Sequence, residues 1–215
     1  VSPSFSNFRT SALKTAQHVV MLQCRAAMDH FAEFLRTPRE IGTIIASSKS
    51  LVAAMVDWIE WDRVEVAVEY GPGKGAITRE ILQRLRRRTT FFTIELNASF
   101  AASFRTALPD VRLHEESVEN IAGICAERGV TKIDCVISGL PWATFSDEQQ
   151  DRYLDEMLKK MPPGAQFVSF AYLVGLPLTS GRRFKRRLDD VFTSVETSEI
   201  VWKNFPPAVV YRCRK

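Results

Sequence analysis

The chain has 215 residues, 46% of them hydrophobic and 25% charged, with a formal net charge of +4, a balance that suits one globular domain able to bury a full core. No run of about twenty apolar residues occurs, which argues against a spanning helix, and no signal peptide is recognisable, so the expected location is cytoplasmic. Four scattered cysteines without C-x-x-C spacing and three histidines without ligand spacing argue against a zinc site or a redox pair, and no metal is expected.

In chain order, apolar residues at Leu13, Ala16, Val20, Cys24, Ala27 and Phe31 recur near helical period over residues 11–36. Residues 1–37 are therefore expected to form an amphipathic helix that docks on the domain, lids its pocket or lies on a membrane surface. Residues 38–215 are expected to form the main domain. Thr37-Pro38 ends the first helix, since the residue before proline is pushed toward extended backbone. A second helix is predicted over about 48–60. Strands and helices then alternate: strand 64–70, helix 76–86, strand 91–95, helix 98–107, strand 111–114, helix 118–127, strand 133–138, helix 147–159, strand 166–173 and helix 182–191. Two extended runs follow, 194–202 and 208–213, with no helix between them. This order predicts an α/β fold with a seven-stranded, mostly parallel sheet, an antiparallel C-terminal pair and helices on both faces.

The first long strand runs into Glu69-Tyr70-Gly71-Pro72-Gly73-Lys74-Gly75, and a helical pattern starts at Ala76. Alternating glycines let the backbone turn sharply and approach a ligand, and the helix behind them turns its free N–H groups toward that turn. The spacing fits two cofactors. Gly71, Gly73 and Ala76 satisfy the dinucleotide pattern G-x-G-x-x-A, whereas Glu69 ahead of three alternating glycines resembles motif I of the class I S-adenosylmethionine (SAM) methyltransferases. Glu95 closes the second strand, where a carboxylate can accept hydrogen bonds from ribose hydroxyls. Glu116-Ser117-Val118 and Ser138-Gly139-Leu140-Pro141-Trp142 follow the third and fourth strands, at the sheet edge where ligands of open α/β sheets sit.

Two basic clusters stand out. Arg84, Arg86, Arg87 and Arg88 close a helix, where cations suit the macrodipole. Arg182, Arg183, Lys185, Arg186 and Arg187 instead crowd the first turns of one. Cations there oppose the macrodipole, so an anion nearby is expected to offset them.

From about Phe34 onward the chain resembles the small bacterial phospholipid N-methyltransferases, class I SAM-dependent enzymes related to the rRNA adenine dimethyltransferases. The segments that carry this are Ile41–Ser48, the glycine turn, Ser138–Trp142, Ala171-Tyr172 and Val201–Ala208. The resemblance implies SAM as cofactor, held by Glu69, Gly71, Pro72, Gly73, Gly75, Glu95, Leu96, Glu116, Ser117, Val118 and Ser138. It also implies N-methylation of a membrane lipid headgroup, phosphatidylethanolamine first, with ornithine-type or other aminolipids as the alternative. The expected partners are the phospholipid headgroup and an anionic membrane surface, with the enzyme held peripherally at the inner face.

Where base-methylating relatives carry Asn or Asp before an aromatic triplet, this chain has Gly139. The absent amide weakens the case for nucleic acid and leaves an alkyl amine as the fitting nucleophile. The amine must lose a proton and be oriented, and the expected catalytic positions are the Gly139 carbonyl, the Trp142 ring and the Tyr172 hydroxyl. Tyr172 is preferred as proton acceptor to His114 or Glu115. Arg182 and Arg183 are expected to pair with the lipid phosphate, with Lys203 and Ser48 as further substrate contacts. An rRNA adenine dimethyltransferase, an NAD-dependent oxidoreductase and a binding module without turnover are the competing readings.

Overall fold

The computed structural model describes residues 47–215, all within a compact unit that spans Ile45–Lys215. The expected N-terminal helix lies outside the described residues.

The described helices are α1 (Lys49–Val56), α2 (Ala76–Arg84), α3 (Ala98–Ala107), α4 (Ile121–Glu127), α5 (Asp147–Lys160) and α6 (Thr179–Val191). The strands are β1 (Val66–Tyr70), β2 (Thr90–Ile94), β3 (Leu113–His114), β4 (Cys135–Ser138), β5 (Gln166–Tyr172), β6 (Ser194–Thr197) and β7 (Ala208–Arg214). They form one seven-stranded sheet in the order β3-β2-β1-β4-β5-β7-β6. β1 to β5 are parallel, and β7 inserts antiparallel between β5 and β6. The predicted alternation and the antiparallel end are both present.

Period-2 side chains divide the core between the two sheet faces. Val68, Tyr70, Phe92, Val136 and Phe167 pack with α4, α5 and α6 through Ile121, Leu154, Met157, Phe184 and Leu188. Ala67, Cys135, Ile137, Val168 and Val210 pack with α1 and α2 through Leu51, Met55, Ile77 and Ile81. The strands that are buried on both faces read as continuous apolar runs for this reason.

Some boundaries differ from the periodicity. The second helix stops at Val56 and a 3-10 turn takes over at Trp61–Arg63. The Trp61 indole N–H donates to the Val56 carbonyl at 2.9 Å, which satisfies one of the carbonyls left open at that helix end. The segment expected as one helix over 118–127 begins as a 3-10 turn, Val118–Asn120, before α4. The run 194–202 is a strand only to Thr197, and Val201 rejoins β7 through a single bridge to Ala208.

Candidate active site

The order change between β1 and β4 lies beside the glycine turn. β1 leads out to β2 and β3 on one side and to β4 and β5 on the other, which is the switch-point geometry that opens a crevice at the carboxyl edge. Tyr70 at the end of β1 is in register with Ile94 and Ser138 at the ends of its neighbours. Three strand ends therefore meet at one level.

Gly71, Gly73 and Gly75 all take positive φ, at 69°, 54° and 80°. No residue with a Cβ adopts that series readily, which is why the sequence alternates glycine here. Gly71 N–H continues the β1–β2 ladder to the Ile94 carbonyl at 2.9 Å, and Gly75 N–H closes the turn on the Pro72 carbonyl at 2.8 Å. Pro72 is buried beneath the turn. A Cβ on Gly73 would meet nothing within 4 Å. That glycine is thus required by φ alone, beside open space in which a ligand can approach the backbone.

Glu69 is fully buried. Its Oε2 accepts the Thr78 hydroxyl of α2 at 2.7 Å, while Oε1 is buried with no hydrogen-bond partner. Burial first, and the charge of Glu95 second, push its carboxyl up to about 8, against the Thr78 bond. A buried oxygen left open at the base of a glycine cradle fits a cationic or N–H-bearing ligand group.

Glu95 is 8% exposed. Its Oε2 accepts Gly73 N–H at 3.2 Å and its Oε1 accepts Asn97 N–H at 2.9 Å. Burial raises its carboxyl, and the backbone bonds from Asn97, Gly73 and Leu96 pull it back. Two oxygens with roughly four lone-pair sites retain capacity for hydroxyl donors. Glu95 therefore braces the glycine turn as well as facing the edge. Leu96 beside it is 69% exposed, and Asn97 caps α3 by accepting from Ser99 and Phe100.

Beyond β3, Glu116 accepts the Asn120 side-chain amide, Ser117 caps the following turn by accepting Glu119 N–H, and Val118 is buried in the core. The side chains of Ser117 and Val118 have structural duties, so their expected cofactor role rests on backbone and position.

After β4 one expectation needs correction, that of Trp142 as an open wall. Ser138 is fully buried, and its hydroxyl accepts the Trp142 indole N–H at 2.9 Å and Leu140 N–H at 3.3 Å. Its carbonyl already accepts the Ser169 hydroxyl at 3.3 Å. Trp142 is 1% exposed and stacks on Phe184 of α6 at 4.9 Å with rings 10° apart. It anchors the loop in the core and is no open wall for a substrate, because a large apolar ring with one satisfied N–H is most stable buried.

Gly139 N–H donates to the Tyr70 carbonyl at 2.8 Å, and a Cβ there would stand 2.7 Å from the Gly71 carbonyl. Gly71 in turn presses on Leu140, whose Cδ2 would lie 2.7 Å from an added Cβ. The glycine turn and the loop after β4 touch backbone to backbone. Glycine at 139 is a packing requirement, a reason that the absent-amide argument did not foresee.

Tyr172 ends β5, opposite Ala208, and burial pushes its phenol up to about 12. It stays a neutral hydroxyl at ordinary pH. The group expected to meet the amine there is thus a hydroxyl. His114 sits at the far side of the sheet on β3, edge-on to Phe92, and burial lowers its imidazole. Glu115 is tied to Arg105 at 2.6 Å.

The anion expected near the second basic cluster is the protein's own. Asp147, Asp151 and Asp155 recur every four residues on α5 and face Arg183 and Arg187 on α6. Arg183 meets Asp147 at 2.9 Å and Asp151 at 3.1 Å, and Arg187 meets Asp151 at 3.1 Å and Asp155 at 2.8 Å. Arg183 is thus committed within the fold, while Arg182 is exposed and takes part in none of these pairs. Ser48 caps α1, accepting Leu51 N–H at 3.2 Å, and donates its own N–H to Asn204 at 2.9 Å. Lys203 is exposed on the connection from β6 to β7.

Thr78, Ser169 and Asn97 were missed in the sequence; Asn97 carries an N-cap signal ahead of the helix that starts at Ala98, whereas nothing in a single chain marks Thr78 or Ser169. Each is a small polar residue whose partner lies on another element or at a cap. Among the described residues no group of three or more His, Cys, Asp or Glu could hold a metal, and no helix is long and apolar enough to cross a membrane.

No protein-family model matches the chain. An ornithine lipid N-methyltransferase from Singulisphaera acidiphila is 29% identical over 187 residues, which is 85% of this chain and 92% of that relative. Among solved structures, the O-methyltransferase TomG from Streptomyces achromogenes, in complex with SAM, superposes with a TM-score of 0.63 at 18% identity, covering 86% of this chain and 89% of its own. An O-methyltransferase from Bacillus cereus gives 0.60 at 11% identity over 92% and 91%. The N-methyltransferase NodS from Bradyrhizobium japonicum gives 0.54 at 13% identity over 71% and 78%. The fold is the Rossmann-like fold of the class I methyltransferases, as the sequence predicted.

Proposed function

We propose that this chain, a class I methyltransferase in fold, is a SAM-dependent N-methyltransferase of amine-bearing membrane lipids. The observation that carries the reading is the ornithine lipid N-methyltransferase aligned over 85% of the chain and 92% of the relative. Phosphatidylethanolamine and ornithine-type lipids share the chemistry that matters, a primary alkyl amine on a membrane anchor.

The residues present fit the cofactor. Gly71, Gly73 and Gly75 leave backbone open at the turn, the orphan Oε1 of Glu69 suits a cationic neighbour, and Glu95 has lone pairs to offer hydroxyls. When bound, SAM supplies a methyl group activated by a positive sulfur. The chain's own work is then orientation and desolvation. The lipid amine is protonated at neutral pH, with a pKa of about 10, and must shed that proton to water before it attacks. The Gly139 carbonyl and the neutral Tyr172 hydroxyl are the acceptors assigned to the amine's N–H groups. Arg182, exposed in the first turn of α6, is the cation assigned to the headgroup phosphate or carboxylate. Association with an anionic membrane surface belongs to the same reading.

The test is incubation with methyl-labelled SAM in the presence of phosphatidylethanolamine vesicles, ornithine lipid vesicles and RNA in parallel. Label is expected in the lipid extract. Label in RNA alone would overturn the lipid assignment, and tight binding of NAD with none of SAM would overturn the cofactor.

A further inference from the structure

The connection from β6 to β7 is folded with its polarity reversed. Trp202 is 70% exposed and Phe205 64% exposed, while Asn204 between them is 2% exposed. Soluble surfaces ordinarily bury the rings and expose the amide. Nor is the segment loose. Asn204 Oδ1 accepts Ser48 N–H at 2.9 Å and its Nδ2 donates to the Pro206 carbonyl at 2.8 Å. Pro207 accepts Leu173 N–H at 2.9 Å, and Val201 is bridged to Ala208. Four anchors thus hold two aromatic rings out into solvent, with Lys203 exposed between them.

The location is as informative as the exposure. β7 starts opposite Tyr172, the last residue of β5, so this turn lies at the carboxyl edge of the sheet, the edge that carries the glycine cradle. Leu178, 44% exposed and just before α6, and Ile200, 38% exposed, follow strand ends at the same edge. Arg182 and Arg186 are exposed on α6, which starts from that edge. Exposed aromatic rings interleaved with cations suit the headgroup region of a bilayer, where the ring enters the apolar boundary and the cation meets anionic phosphate.

We propose that the Val201–Pro207 turn is a docking element for an anionic lipid bilayer, with Trp202 and Phe205 inserted at the headgroup boundary and Lys203 on the lipid phosphates. It brings the carboxyl edge of the sheet against the membrane, so a headgroup amine can enter without the lipid leaving its leaflet. The inference rests on the lipid-methylation reading and adds to it the surface through which the substrate arrives.

The test compares the full chain with its Trp202→Ser/Phe205→Ser double variant in flotation with vesicles of phosphatidylglycerol and phosphatidylethanolamine. Methylation of a water-soluble, short-chain aminolipid is measured alongside. Both side chains are exposed, so equal thermal midpoints are expected. The variant should lose about tenfold or more in vesicle partitioning, with turnover of the soluble lipid unchanged. Equal partitioning by both proteins overturns the proposal, as it would if the chain's own first 46 residues covered the turn. A concentration-dependent dimer lost in the variant, with vesicle binding retained, identifies a second copy as the occupant and also overturns it. Flotation needs no turnover, so the lipid-methylation reading stands or falls separately, on label transfer to the soluble lipid.

Discussion

At the scale of single residues, Glu69 and Gly139 carry most of the site's logic. Glu69 is a fully buried carboxyl raised from 4.5 to about 8, and the sign of its effect on stability follows. Below about pH 4.5 it is protonated in both states and costs nothing. Between about 4.5 and 8 the unfolded chain ionises it and the folded chain does not, so stability falls as pH rises. Glu69→Gln removes that slope while keeping an acceptor for Thr78. The variant is expected to be more stable than the parent by about 1–3 kcal/mol at pH 8 and to differ little at pH 4.5, read by chemical denaturation at each pH. It should also bind SAM more weakly at pH 8, because a cationic ligand favours the ionised form that glutamine lacks. A stability difference that does not vary with pH would contradict the assignment. Gly139→Ala tests the contact between the two loops. A Cβ 2.7 Å from the Gly71 carbonyl must displace backbone, so a loss of about 1–3 kcal/mol with weakened SAM binding is expected by thermal melt and calorimetry. A fully stable variant with unchanged affinity would show that the loops yield freely.

At the scale of elements, the pairing of α5 with α6 replaces an expected ligand site. The basic start of α6 reads in sequence as a cluster in need of an anion, and the four-residue rhythm of Asp147, Asp151 and Asp155 supplies it. These pairs are partly exposed, so Asp151→Ala should lower stability by no more than about 1 kcal/mol, and less at high salt, by urea denaturation. Asn204→Ala removes both amide bonds that fix the β6–β7 turn and should lower stability by about 1–3 kcal/mol in the same measurement. A neutral result would mean that the bonds to Ser48 and Pro206 are replaced by water. The strands, the helices and the glycine turn were legible because each leaves a local signal: β-branched runs, helical period and alternating glycine. The duties of Trp142 and Arg183 were not, because a ring next to a cofactor loop and an arginine in a basic run look alike whether they face a ligand or another helix. Only the position of α6 over α5 and Trp142 separates the two.

At the scale of the whole molecule, one edge of the sheet gathers everything that the proposed chemistry needs. The glycine cradle, Glu69, Glu95, Gly139 and Tyr172 lie at strand ends, and the exposed rings of Trp202 and Phe205 lie at the same edge. The cofactor half of this arrangement could be read from residues in register. The exposed rings of the β6–β7 turn could not, because exposure of an aromatic ring is a tertiary property that sequence composition does not carry. The most direct measurement is mass spectrometry of lipids recovered after incubation with SAM, phosphatidylethanolamine and ornithine lipid, with the headgroup fragments resolved. One or more methyl groups on the headgroup nitrogen, dependent on SAM and on the enzyme, is the predicted result. Headgroups left unmodified after that incubation would contradict the account.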